Sequence, residues 1–84
     1  MNKIEYNRKK IDIIDKKTAK LLLLRFNLVK QISDYKKNNK IKVIDKKREL
    51  QVIKNIKRYS GRRHKKFITN IFKSVINYSK ELQK

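Results

Sequence analysis

The residues in this chain best suited to chemistry are polar side chains that interrupt otherwise apolar helix seams. Arg25 stands within the run Ile11, Ile14, Thr18, Leu21, Arg25, Leu28, Ile32, Tyr35. Asp45, Arg48 and Glu49 open a second stripe that continues through Val52, Ile53 and Ile56. Ser79 and Gln83 extend a third, which begins at Phe67-Ile68 and passes through Ile71-Phe72 and Val75-Ile76. A buried charge is costly unless paired, so such residues need a ligand or each other. Lys36 follows Arg25 by eleven residues, three helical turns, and so shares its face. Two cations on one helix face, with mixed polar groups on two other helices, suit a small dianion. Arg8 is placed differently. It precedes Arg25 by 17 residues, about 25 Å along a helix axis and roughly 100° around it. The two cannot grip one small molecule in the same chain; if Arg8 takes part, it comes from another subunit.

Each of these positions also has a plainer reading. Asp45, Arg48 and Glu49 could form a surface ion-pair cluster at helical spacing, and Arg25 could run its stem along apolar neighbours to reach water. Ser79 and Gln83 lie near a helix end, where polar, frayed residues are common. For any one position alone the plainer reading is preferred.

The composition narrows the alternatives. There is no cysteine and one histidine, His64, so a disulfide framework, a thiolate metal site and a multi-histidine site within one chain are excluded. The longest apolar run, Leu21 to Leu24, falls far short of the roughly 20 residues that span a bilayer. The opening residues do not lead into a signal-peptide core. A soluble, cytoplasmic protein without a membrane partner is therefore expected. The net charge of +19 comes from 26 Lys and Arg against 7 Asp and Glu, and it invites a nucleic-acid reading. It is mostly lysine, scattered along the whole chain, so a solvated basic surface is preferred and a nucleic-acid partner is not expected. Such a surface should still attract small anions and destabilise the fold at low salt.

The elements that must position these residues follow from punctuation. With no proline and one glycine, Gly61, the backbone has few places to break, and long helices are expected. The spacing predicts a first helix from Asn7 to Lys37, about 45 Å long. Lys37-Asn38-Asn39-Lys40 marks a turn. A second helix is expected from about Asp45 to Tyr59, ended by Ser60-Gly61, and a third from about Arg63 to Gln83. A single domain over residues 1–84 is expected, too short to include an appended regulatory domain. So short a chain cannot wrap so long a first helix, and pairing of long helices between two chains is the economical solution. The expected fold is all-α, with three helices per chain, a very long first helix and an intertwined helical homodimer.

The string from Arg8 through Asp15, then Leu21–Leu24 with Arg25, Lys36, Asp45-Lys-Lys-Arg48-Glu49, and Ile71-Phe72 with Ser79 and Gln83 resembles the all-α chorismate mutases. The likeness runs from about Arg8 to Gln83, and the eight polar positions agree in order, with compatible spacing. The resemblance implies conversion of chorismate to prephenate, a [3,3] rearrangement on the route to phenylalanine and tyrosine that needs no cofactor, metal or nucleophile. It implies homodimers with shared active sites, in which Arg25 and Arg8 of the second chain clamp the two carboxylates. Lys36 and Gln83 would contact the ether oxygen, and Glu49 would accept from the ring hydroxyl with Asp45 near the same end. Arg48 would orient acidic groups, Ser79 would support a carboxylate, and Ile32, Val52 and Ile76 would form apolar walls. A glutamine at position 83 donates without prior protonation, so no acidic optimum is expected. The chain departs from the family in its basicity and in Lys80, where an apolar wall residue is more common. Isochorismate-pyruvate lyases share the fold and a similar pocket, and a basic helical nucleic-acid binder or an inactive helical dimer are further readings.

Overall fold

The computed structural model describes residues 2–84 and contains three helices: α1 (Lys3–Asn38), α2 (Lys46–Tyr59) and α3 (Gly61–Leu82). The all-α architecture with a very long first helix is as the sequence predicts. The boundaries differ where caps were not anticipated. The α1 helix starts four residues earlier than expected because Asn2 caps it, its side chain accepting from the Glu5 amide at 2.9 Å. This satisfies one of the orphan N–H groups of the first turn. The helix then runs unbroken for 36 residues, about 54 Å at 1.5 Å per residue.

The exit from α1 is a Schellman turn. The Ile41 amide donates to the Lys36 carbonyl at 2.8 Å, and the Lys40 amide to the Lys37 carbonyl at 3.4 Å. The position between them must be left-handed, and here it is Lys40, at φ +56°. The expected turn thus falls slightly later, with Lys37 and Asn38 still helical.

The connection between α2 and α3 is also tighter than the sequence suggests. Ser60 serves as C-cap of the one and N-cap of the other, and its hydroxyl donates back to the Ile56 carbonyl. Gly61, at φ +72°, turns the chain in a single step, so α3 begins at the glycine rather than at Arg63. A Cβ at Gly61 would meet no atom within 4 Å; the requirement for glycine there is one of backbone conformation alone.

Packing divides α1 in two. Every described residue from Asn2 to Leu21 is exposed. Beyond that point Leu22, Arg25, Phe26, Val29, Ser33 and Lys36 turn inward, at helical spacing i, i+3, i+4, i+7, i+11, i+14. Within one chain, this face rather than the expected seam meets the rest of the fold. Of the seam only Arg25 is shared; Ile11, Ile14, Leu21, Leu28, Ile32 and Tyr35 are all exposed, Leu21 at 65%. The α2 and α3 helices form an antiparallel hairpin, and α1 lies against α3, where Phe26 meets Tyr78 edge-on at 4.9 Å between ring centroids. The most buried residues are Val75, Ile76, Thr69, Ser79 and Ser33. This is a small core, and two of its hydroxyls, on Ser33 and Thr69, have no hydrogen-bond partner. Among the described residues, no helix is long and apolar enough to cross a membrane.

Candidate active site

The second half of α1, the start of α2 and the end of α3 converge on a cleft of about 130 Å³. From α1 come Arg25, Val29, Ile32 and Lys36, which lie at i, i+4, i+7 and i+11 and so share one face. The segment before α2 supplies Val43 and Asp45, α2 supplies Arg48, Glu49 and Val52, and α3 supplies Ile76, Ser79, Lys80 and Gln83. Every site residue expected from the sequence lines this cleft except Arg8. Because α1 is a single unbroken helix, Arg8 lies about 25 Å from Arg25 along the axis, and the fold of one chain does not bring it to the cleft.

Arg25 is the centre of the arrangement. Its guanidinium donates to the Ser79 hydroxyl at 3.1 Å, and that hydroxyl donates in turn to the Val75 carbonyl at 2.8 Å. Ser79 is buried, at 5% exposure, and its single proton is committed to the helix backbone. Ser79 thus holds the Arg25 guanidinium in this structure. Among the described residues Arg25 has no ion-pair partner. Burial, with the nearby Arg48 guanidinium as the lesser cause, pulls its pKa below the ordinary arginine value. An arginine stays protonated across the neutral range even so. The cost of its charge is thus present at every physiological pH, and an anion relieves it where a pH change does not.

The other polar groups are likewise oriented by local structure. Asp45 is the N-cap of α2, accepting from the Arg48 amide at 3.0 Å, so its carboxylate is held at the cleft by the helix start. Arg48 donates to Gln51 at 2.8 Å, one turn along its own helix. The Lys36 ammonium reaches the Val43 carbonyl at 3.4 Å; an ammonium carries three donors, so two remain for a ligand. Glu49 pairs with Lys80 at 2.6 Å. Gln83 caps the end of α3 and is half-buried. Four cations against two carboxylates leave the lining at +2, the complement of a dianion.

Val29, Val43 and Gln51 were missed by sequence reasoning. Val29 carried a usable signal, being one turn after Arg25 on the same face. Val43 acts through its carbonyl, and Gln51 through a contact with Arg48 that spacing alone does not single out.

The protein is thus all-α, with a cleft between three helices, lined by four cations, two carboxylates and apolar walls. The chain belongs to the chorismate mutase type II family, whose model matches residues 7–84. Comparison with curated proteins gives no match.

Proposed function

We propose that this protein is a chorismate mutase, converting chorismate to prephenate in the cytoplasm on the route to phenylalanine and tyrosine. The observation that carries the reading is Arg25: half-buried, oriented by Ser79, beside a second guanidinium, and without a carboxylate partner among the described residues. Such a group is a ready binding point for a ligand carboxylate, since a planar guanidinium pairs bidentately with that anion.

The reaction asks the protein to hold an extended dianion in a compact reactive conformer and to stabilise charge as an ether bond breaks. These are orientation and electrostatic terms. Arg25 fixes one carboxylate. Lys36 and Gln83 donate to the ether oxygen, where negative charge grows in the transition state, so their hydrogen bonds strengthen as the reaction proceeds. Glu49 accepts from the ring hydroxyl, with Asp45 at the same end, and Arg48 orients the acidic groups. Ile32, Val52 and Ile76 confine the ring.

The second carboxylate is assigned to Arg8 of a second copy of the chain. Two features support a homodimer with shared sites. Arg8 is far from the cleft in its own chain, and α1 exposes an apolar seam at heptad-like spacing along its length. Mixing inactive Arg8→Ala and Arg25→Ala chains should then restore activity, because a mixed dimer keeps one intact site. No recovery despite demonstrated subunit exchange would remove the shared-site reading.

The direct test follows chorismate disappearance alongside prephenate formation. Chorismate left untouched by the purified chain would overturn the proposal. Release of pyruvate from isochorismate, with no prephenate from chorismate, would make the protein a lyase of the same fold.

A further inference from the structure

The chain has one ion pair unlike its others. Among the described residues, Lys30–Asp34 and Lys84–Glu81 are exposed pairs within single helices. Lys80–Glu49 joins α3 to α2, is the shortest at 2.6 Å, and is the least exposed, its side chains at 37% and 24%. Both members line the cleft. Lys80 directly follows Ser79, so consecutive residues of α3 hold two groups of opposite charge in the cleft: Ser79 holds Arg25, and Lys80 holds Glu49.

Glu49 poses an electrostatic problem in a site for dianions. A carboxylate is a good acceptor for a ligand hydroxyl, but it repels a doubly charged ligand at the same distance, and the repulsion grows as water is displaced. An ammonium beside it removes that repulsion while leaving a carboxylate oxygen free to accept.

We propose that Lys80 is a positioning and specificity residue, which holds the Glu49 carboxylate in place and neutralises it, so that the cleft takes a hydroxylated dianion. It acts on ligand affinity through Glu49 and does not touch the breaking bond. The inference rests on the chorismate reading and assigns to that site a cation outside the set the resemblance implies.

Lys80→Met keeps the length and apolar stem while deleting the charge. It should raise KM for chorismate about tenfold, the order expected for leaving one unneutralised carboxylate near a charged ligand, with kcat within about threefold of wild type. Lys80→Arg should bring KM most of the way back. Calorimetric affinity for prephenate, the product dianion that the enzyme does not consume, should fall on Lys80→Met in the wild-type background and fall clearly less in Glu49→Gln, where no carboxylate remains to be neutralised. An unchanged KM in Lys80→Met, an equal loss of affinity in both backgrounds, or an arginine variant no better than methionine would each overturn the proposal. A wild-type protein that neither converts nor binds chorismate would take down the functional reading and this inference with it. Turnover by the wild type with an indifferent Lys80→Met would take down this inference alone.

Discussion

The two halves of α1 are continuous in backbone and opposite in surroundings. From Leu22 onward the helix turns a face of Leu22, Phe26, Val29 and Ser33 to the fold and delivers Arg25 and Lys36 to the cleft. Before that point none of the described residues covers it, although Ile4, Ile11, Ile13 and Ile14 are all present and more than half exposed. Helices in proteins draw most of their stability from packing an apolar face, so the free half has the composition of a packed helix without the packing. One half of α1 lines the cleft; the other carries Arg8 and an exposed apolar surface, where the second copy proposed above would dock.

The comparison can be broken most severely at the organised half. Arg25→Ala and Lys36→Ala should each remove at least about 3 kcal/mol of transition-state stabilisation, the scale of a lost oxyanion donor, read as a fall in kcat/KM of more than about a hundredfold. Near-wild-type turnover in either would dissolve the site assignment. The free half is tested next, by Ile14→Asp with Leu21→Asp. At exposed positions of an isolated chain such changes cost within about 0.5 kcal/mol. At a helix–helix seam they should halve the mass seen by light scattering and lower the melting temperature together. Unchanged mass and melting would show that nothing packs there. A smaller effect is expected where the organised half ends. Lys40→Gly relieves a left-handed lysine and should stabilise the fold by about 1 kcal/mol in urea titrations. The smallest is the pH response. With glutamine at 83, the chemical step should change less than about threefold between pH 7 and pH 5, where a donor needing protonation would gain roughly tenfold for each unit the pH falls toward its pKa. A steep acid rise would contradict the role given to Gln83.

Much of the cleft was legible in the sequence because its residues break a period. A guanidinium at Arg25 or a carboxylate at Glu49 on an apolar stripe has a desolvation cost that must be met, and the structure places both at the cleft with Lys36, Asp45, Arg48, Ser79 and Gln83. The inner face of α1 was not legible for the opposite reason. Leu21 to Leu24 are apolar all the way round the helix, so periodicity could not distinguish the face that meets α3 from the neighbouring seam. Capping was hidden by distance from the periodic region: Asn2 lies five residues before the first expected helical position, and Asp45 reads equally well as a stripe residue or a cap. Lys80 was visible as an oddity, but in a chain this rich in lysine nothing marked it as the partner of Glu49.

The single-residue link at Ser60 bears on the order in which the molecule assembles. With almost no loop to close, the α2–α3 hairpin pays little chain entropy for its contacts, and contacts of short sequence separation form fastest. The Arg25–Ser79 hydrogen bond spans 54 residues and belongs to a later event. The hairpin alone already groups Asp45, Arg48, Glu49, Val52, Ile76, Ser79, Lys80 and Gln83. We therefore expect two walls of the cleft to exist before α1 docks, so that the last step of folding is also the step that adds Arg25 and Lys36 to the cations already there.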